Sequence, residues 1–281
     1  MVLLSSVVLS FNGLIFRSLA EATAWQVSFY RSGALAAAMF GLFLLRHRGR
    51  WRVELRRSWR SALIAGPLLG VAGVCFLQSL GHTTVANTMF TLSSVPLFAA
   101  VFAWITLGEP VTRATWIAIL TAMTGIALML FDGFGSGALI GNLLALATAV
   151  FFAGFVVALR HGRHVDMLPG VAFGALVSTA IGGIMADSLD VPMRDILICL
   201  AWGALLSCFA HSIYTYASRH VLAAELTLLS LVEMIISPLW VWLALNETPT
   251  TYTLMGGAIV VAAIGGWVAS GNRQSGSRES L

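Results

Sequence analysis

The chain has 281 residues, of which 58% are hydrophobic and only 10% are charged, and its mean hydropathy is +0.89. A soluble domain of this length could not bury so much apolar surface, so the composition indicates an integral membrane protein. The net charge of +4 comes from arginines confined to particular segments, without the basic and aromatic surface typical of nucleic-acid binding, so we expect no nucleic-acid partner.

Ten apolar runs are long enough to cross the hydrocarbon core, which takes about 20 residues. The first run could be taken for a signal peptide, but it lacks a basic leading segment and is interrupted by Asn12 and Arg17, so we interpret it as a true span. We number the spans 1 to 10 and place them near residues 2–20, 24–45, 60–81, 83–106, 112–131, 138–160, 169–187, 193–217, 222–245 and 251–270.

A repeated phrase divides these spans into two sets of five. Trp104 and Glu109 close span 4, and Trp242 and Glu247 close span 9 with the same spacing, 138 residues later. A period this long indicates a duplicated membrane unit rather than a short solenoid repeat. The units are a first repeat over 1–131, a linker over 132–137, a second repeat over 138–270 and a cytoplasmic tail over 271–281.

Matching residues also occur near the start of each half. Residues 11–13 read Phe-Asn-Gly and residues 152–154 read Phe-Ala-Gly, and the segment that begins at Arg31 parallels the one that begins at Ala172. The glycine-rich linker has G-x-G-x-G spacing but lacks the βαβ unit that a dinucleotide site needs. We therefore expect a flexible joint there and no cofactor.

Arginine placement indicates the orientation of the spans. Seven arginines lie in the connection after span 2, at 46–60, which places this connection and both termini in the cytoplasm. Because each half has an odd number of spans, the two copies must have opposite orientations, an architecture found in many secondary transporters. The 13 of 16 arginines that fall on the cytoplasmic side are Arg46, Arg48, Arg50, Arg52, Arg56, Arg57, Arg60, Arg113, Arg160, Arg163, Arg219, Arg273 and Arg278.

With the two Trp-x4-Glu phrases, the Phe-x-Gly signatures of spans 1 and 6 and Arg31 in span 2, residues 2–270 resemble the EamA-type ten-helix exporters of the drug/metabolite transporter superfamily. The resemblance implies an all-α integral membrane protein with ten transmembrane helices in two inverted five-helix repeats. It also implies export of amino acids or similar metabolites across a bacterial inner membrane, and a substrate site between spans 1, 3 and 4 and spans 6, 8 and 9. The family's Glu-Pro pair in span 9 is absent, because Glu233 is followed by Met234.

Span 4 carries a polar stripe, with Asn87, Thr91 and Ser94 on one helical face. The offset of 138 places Glu225 at the position of Asn87 in the second copy, so both fourth spans should face a central cavity. Ordinary hydrogen bonding between helices is an equally good explanation for the hydroxyl groups.

Ionisable residues inside membrane spans are costly and often functional. Glu233 lies near the bilayer centre, where it could bind a substrate ammonium, carry a proton, or bond a carbonyl freed by Pro238. Arg31 could meet a substrate carboxylate or pair with Glu21. We assign Arg31 and Glu225 to gating or coupling, although Glu225 could also snorkel to the cytoplasmic surface.

His211 could relay protons or simply pack as a hydrogen-bond donor. Aromatic side chains could line a cavity that accepts apolar substrates, or pack in the core or against lipid. The candidate substrate-binding residues are Phe11, Asn12, Gln78, Asn87, Phe90, Thr91, Phe152, Phe155, His211, Tyr214, Tyr216, Glu233 and Trp240.

The sequence thus favours an alternating-access exporter of small amphiphilic metabolites, with amino acids first, whose halves rock about the linker. A multidrug exporter is the alternative, and an intramembrane enzyme is disfavoured because the H-E-x-x-H and G-x-S-x-G signatures and a paired aspartate are absent. The three cysteines lack C-x-x-C spacing, so neither a metal site nor a disulfide is expected. The expected partners are a small-molecule substrate and the lipid bilayer, and a monomer is the expected unit.

Overall fold

The computed structural model describes residues 2–108, 113–136, 138–219, 227 and 230–276. The regular elements among these residues are all helical. They are α1 (Val2–Leu9), α2 (Asn12–Arg17), α3 (Ala24–Arg46), α4 (Trp51–His82), α5 (Val85–Leu92), α6 (Val95–Leu107), α7 (Arg113–Ser136), α8 (Leu139–His161), α9 (Leu168–Met185), α10 (Met193–Ala201), a π-helical turn (Trp202–Ser207), α11 (Cys208–Ala217), α12 (Leu231–Leu245) and α13 (Thr251–Gly276).

Each predicted span contains an apolar helical segment. Within the described part of the chain, six segments are long and apolar enough to cross a membrane by themselves, and four shorter ones are Val2–Arg17, Trp116–Leu128, Leu231–Leu245 and Thr251–Ala263. The predicted all-α membrane fold is therefore confirmed.

Three spans change their helical geometry near the middle. Span 1 breaks at Ser10 and Phe11, between α1 and α2. Span 4 breaks between α5 and α6, where Pro96 lacks the N–H that would continue the helical bonds. Span 8 widens into the π-helical turn. Irregular backbone at this depth is tolerated where it is buried in protein or lines a cavity, so these breaks point to the functional centre.

The arginine-rich connection after span 2 is shorter than predicted. Helix α4 begins at Trp51, so only residues 47–50 connect it to α3, and residues 51–60 form a helical extension. Ser58 faces the protein interior and Glu54 pairs with Arg57 one turn away at 3.2 Å, while the other arginines of the extension are exposed. The extension folds because it is amphipathic, which a count of its arginines does not reveal.

Helices also continue beyond two predicted boundaries. Helix α7 runs to Ser136 and so includes most of the predicted linker, and α13 runs to Gly276, past the predicted start of the tail. Both segments lack proline, and a glycine costs a helix only about 1 kcal/mol. Glycine content alone therefore did not end these helices.

Equivalent spans of the two halves pack against each other. Helix α3 of span 2 packs on α9 of span 7, and α7 of span 5 packs on α13 of span 10. Helix α4 lies against both α8 and α9, where a Cβ atom on Gly70 would come within 2.7 Å of the Gly174 carbonyl oxygen. Small residues allow this close approach, as is common between membrane helices.

Candidate functional site

A central cavity lies between the two halves, beside the irregular segments of spans 1 and 8. Its empty space measures about 950 Å³, counting the part that is open to the outside. Ten lining residues come from spans 1–4 of the first half and ten from spans 6–9 of the second half. The cavity therefore belongs to neither repeat alone. Most of the wall is apolar, and its larger apolar side chains are Leu9, Leu35, Leu69, Phe76, Leu92, Phe152 and Met234.

Six of the candidate residues line this cavity. They are Asn12, Arg31, Phe152, His211, Tyr214 and Glu233. Arg31 and Glu233 are 6% and 7% exposed, so a guanidinium and a carboxylate are both buried at an otherwise apolar wall. A buried charge is costly unless it is paired, so the partners of these two groups decide what the cavity can bind.

Arg31 lies two turns into α3, whose start is fixed by a capping box between Thr23 and Gln26. Its guanidinium carbon lies 4.5 Å from the centre of the Trp202 ring, and its Nη2 donates to the Ser207 hydroxyl at 3.2 Å. Arg31 makes these contacts rather than the pairing with Glu21 that was one of its two predicted alternatives. The Nε of Arg31 is buried without a hydrogen-bond partner among the described residues, so the guanidinium has capacity for a further acceptor.

Glu233 lies in the first turn of α12. Its Oε1 accepts a hydrogen bond from Asn12 Nδ2 at 3.4 Å, and Asn12 Oδ1 accepts one from Trp202 Nε1 at 2.8 Å. The partner that we observe is thus a side chain of span 1 rather than a carbonyl freed by Pro238. The ion pairs found among the described residues are formed by other side chains, so the two cavity charges do not neutralise each other directly.

Asn87 belongs to a separate polar cluster outside the cavity. Its Nδ2 donates to Thr83 Oγ1 and to Asn142 Oδ1, both at 3.1 Å, and its Oδ1 accepts from Thr253 Oγ1. Every polar atom of the Asn87 amide thus has a protein partner. Its predicted counterpart Glu225 lies outside the described residues.

The remaining candidates also lie away from the cavity lining. Phe11 stacks on Trp240 with ring centres 5.2 Å apart, and Trp240 Nε1 donates to Ser10 Oγ at 3.1 Å. Tyr216 is 48% exposed and Phe155 is buried in the core. Gln78 and Thr91 are buried, and Phe90 packs against Gly257.

Sequence reasoning missed Ser32, Thr148 and Ser178, small polar residues that line the cavity. It also missed Trp202, which contacts the lining residues Arg31 and Asn12. Serine and threonine are too common in membrane helices to stand out. Trp202 did carry a signal, because it lies ten residues into span 8 whereas membrane tryptophans favour the interfaces. A buried indole N–H usually has a partner, which here is Asn12.

Charged clusters join the halves at both ends of α3. At one end, Arg17 pairs with Glu247 at 2.8 Å, and Glu247 Oε1 accepts from the Val85 amide at 2.8 Å. Glu247 is the acid of the second Trp-x4-Glu motif, so this motif ends in a residue that contacts the first half of the chain.

At the other end of α3, Asp166 lies 2.8 Å from His47, and Arg46 and Arg219 approach it at 3.8 Å and 3.7 Å. Helix α3 has 23 residues, so the two clusters are about 35 Å apart at 1.5 Å per residue. A helix of this length is long enough to cross a membrane.

Two repeats around a shared, partly polar cavity in ten membrane spans are typical of membrane transporters. Residues 1–131 and 139–268 match the EamA-like transporter family, and the chain belongs to this family.

Several named relatives share most of their length with the chain. The Pseudopaline exporter CntI of Pseudomonas aeruginosa is 28% identical over 258 residues, which cover 90% of this chain and 88% of that protein. The human solute carrier family 35 member G1 is 24% identical over 281 residues, covering 93% and 76%. The riboflavin transporter of Rhizobium johnstonii is 24% identical over 249 residues, covering 87% and 79%. These names point to transport rather than to catalysis.

A solved crystal structure has the same fold. It superposes with a TM-score of 0.70 and covers 94% of both chains at 19% identity.

Proposed function

We propose that the protein exports small zwitterionic metabolites, amino acids first among them, through the central cavity by alternating access. One observation carries the proposal. Arg31 and Glu233 are both buried, both line one apolar cavity, and do not pair with each other.

An amino acid offers the two charges that would complete this arrangement. Its carboxylate would accept from the guanidinium of Arg31, whose Nε has no protein partner, and its ammonium would donate to Glu233. Substrate binding would thus supply partners for two charges that are costly to bury alone. The apolar wall around Leu35, Leu69 and Phe152 would receive the substrate side chain.

The charged clusters at the two ends of α3 support alternating access. Each one joins residues of the first repeat to residues of the second, Arg17 to Glu247 and His47 to Asp166. Opening one cluster while the other stays closed would expose the cavity to one side at a time. The name of the Pseudomonas aeruginosa relative supports export as the direction.

A multidrug exporter remains the second candidate, because the wall is mostly apolar and could accept many hydrophobic molecules. The two candidates differ in what Arg31 and Glu233 contribute. A zwitterion needs both charges, whereas a lipophilic cation would need only the carboxylate.

Flux into proteoliposomes tests the proposal. Purified protein should exchange radiolabelled leucine against unlabelled leucine, and Arg31→Gln and Glu233→Gln should each reduce the initial rate at least about tenfold, the effect of losing one charged hydrogen bond. Glu21→Gln changes an exposed acid in the connection between spans 1 and 2. It is the matched control and should exchange leucine at the wild-type rate. Full leucine exchange by both cavity variants would contradict the proposal. Loss of ethidium flux in Glu233→Gln but not in Arg31→Gln would favour the multidrug exporter.

The orientation that we propose places both termini and residues 46–60 on the cytoplasmic side of a bacterial inner membrane. In a variant without native cysteines, Arg48→Cys should react with an impermeant maleimide only after the cells are permeabilised, and Asp190→Cys should react in intact cells. Both positions are exposed. The reverse labelling pattern would invert the topology.

A further inference from the structure

The π-helical turn Trp202–Ser207 contacts Arg31 directly and is linked to Glu233 through Asn12. Trp202 is only 1% exposed and is the largest of the fully buried side chains among the residues that the structure describes. Short π-helical segments are rare and occur frequently at functional sites. The contacts of this turn show what it does here.

The indole of Trp202 contacts the two charged sides of the cavity with different parts of its ring. Its face lies against the guanidinium of Arg31, with 4.5 Å between the Arg31 carbon and the ring centre, a cation–π geometry. Its edge donates through Nε1 to Asn12 Oδ1 at 2.8 Å. The rigid indole of Trp202 therefore contacts both Arg31 and Asn12 and holds them in a defined arrangement.

The Trp202 bond also fixes which way the Asn12 amide points. An indole nitrogen can only donate, so the Asn12 oxygen must face Trp202 and the Asn12 NH2 group must face the other way. That NH2 group donates to Glu233 Oε1 at 3.4 Å. A flipped amide would set two donors against each other at Trp202 and an oxygen against the carboxylate. Trp202 thus orients the group that holds Glu233.

The other end of the turn holds Arg31. Ser207, fully buried, accepts from Arg31 Nη2 at 3.2 Å. In an α-helix of 3.6 residues per turn, positions 202 and 207 would differ by about 140° around the axis. The wider π-helical turn brings residues five apart to the same side, so both Trp202 and Ser207 reach Arg31.

Gly203 lets the turn sit directly on the backbone of α3. A Cβ atom at this position would lie 2.0 Å from the carbonyl oxygen of Arg31, so a larger residue would force the two helices apart. The main chain of Arg31 is therefore held by the same turn that holds its guanidinium.

From these contacts we propose that the turn Trp202–Ser207 sets the charge specificity of the cavity, with Trp202 and Ser207 as positioning residues. The indole N–H of Trp202 serves the ammonium side through Asn12 and Glu233. The hydroxyl of Ser207 serves the carboxylate side through Arg31. This inference rests on the proposed transport of zwitterions and assigns each end of the substrate to a separate part of the turn.

Two conservative variants separate the two ends. Trp202→Phe keeps an aromatic face for Arg31 and removes the N–H donor, and Ser207→Ala removes only the hydroxyl. Leucine, leucinamide and N-acetyl-leucine serve as probes, because the amide carries only the ammonium and the acetyl compound only the carboxylate. Each probe is measured as a KM or as an inhibition constant against leucine exchange in proteoliposomes.

The expected pattern is crossed. Trp202→Phe should weaken the binding of leucine and leucinamide about tenfold and leave that of N-acetyl-leucine within about twofold. Ser207→Ala should weaken the binding of leucine and N-acetyl-leucine about tenfold and leave that of leucinamide within about twofold. Trp104→Phe is the control for the tryptophan change, because Trp104 packs on Trp116 outside the cavity lining and its replacement should leave all three constants unchanged. Ser58→Ala, at a buried serine that bonds the Glu54 carbonyl, is the control for Ser207.

Asn12→Ala provides a second route if Trp202→Phe does not fold. It should weaken the same two probes and leave N-acetyl-leucine within about twofold. If Trp202→Phe does fold, the double variant should be no worse than Asn12→Ala alone, because both changes interrupt one chain of contacts. Uniform weakening of all three probes in both variants would overturn the positioning role while leaving zwitterion transport intact. If the wild type responds to none of the probes, the proposed function itself fails, and the inference fails with it.

Discussion

The buried charges at the ends of the helices and the buried charges at the cavity have different surroundings. Asp195, fully buried at the start of α10, accepts hydrogen bonds from the backbone amides of Ala20, Glu21 and Ala22 at 2.9–3.2 Å. Arg31 and Glu233 have incomplete sets of partners. The comparison indicates that a charge which stabilises the fold has its hydrogen bonds filled by protein groups, whereas the charges at the cavity can still bind a ligand.

Asp195→Asn should have the largest effect on stability. All three N–H groups donate to Oδ2, so the amide oxygen of Asn could take its place, but the negative charge that strengthens these bonds is lost and the NH2 group would face the Ala20 N–H, which donates to Oδ1 as well. Weakening hydrogen bonds to a charged acceptor costs about 1.5–3 kcal/mol. Thermal unfolding in detergent should show a clearly lower midpoint. Asp187→Asn, at an exposed acid in the preceding connection, is the control and should unfold like the wild type. An unchanged midpoint in Asp195→Asn would remove the contrast between the two sets of charges.

Asn87→Ala should have the next largest effect. The change leaves Thr83, Asn142 and Thr253 with broken bonds, so we expect a loss of about 1–2 kcal/mol. Because Asn87 lies outside the cavity lining, the KM for leucine should stay within about twofold of the wild-type value. A large rise in KM with unchanged stability would return Asn87 to the substrate site.

The Arg17–Glu247 pair should contribute less, because both side chains are about a quarter exposed. A double-mutant cycle with Arg17→Gln and Glu247→Gln should give a coupling energy of about 1 kcal/mol, which falls as salt is added. Coupling that is absent at low salt would mean that this cluster does not hold the two halves together.

Glu233→Gln should have the smallest effect on stability, or raise it. The amide keeps the shape of the side chain and removes a buried charge with a single protein partner, so the midpoint should equal or exceed that of the wild type. Added leucine should raise the midpoint of the wild type but not of the variant. A fall as large as that of Asp195→Asn would mean that Glu233 is structural.

Much of the fold was predictable, because hydropathy and helix length are local properties of the sequence. The ten spans follow from apolar runs, and the duplication follows from the spacing of Trp104 and Trp242. The π-helical turn was not predictable in this way, since Trp202–Ser207 reads as an ordinary apolar helix until α3 packs on Gly203.

The site was predictable only in part. Arg31 and Glu233 stood out because charges inside spans are rare. Whether a buried amide faces the cavity depends on neighbours that are distant in sequence, which is why Asn12 and Asn87 looked alike and lie in different surroundings. The partners of Asn12 are 190 and 221 residues away, and no local pattern encodes them.

Equivalent helices of the two repeats pack on each other, yet the polar groups at the cavity have no polar counterparts. Asn12 corresponds to Ala153, Arg31 to Ala172, and Glu233 to Val95. The scaffold is thus nearly two-fold while its chemistry is one-sided. A zwitterion bound between Arg31 and Glu233 would have a single orientation and could not tumble during the transport cycle.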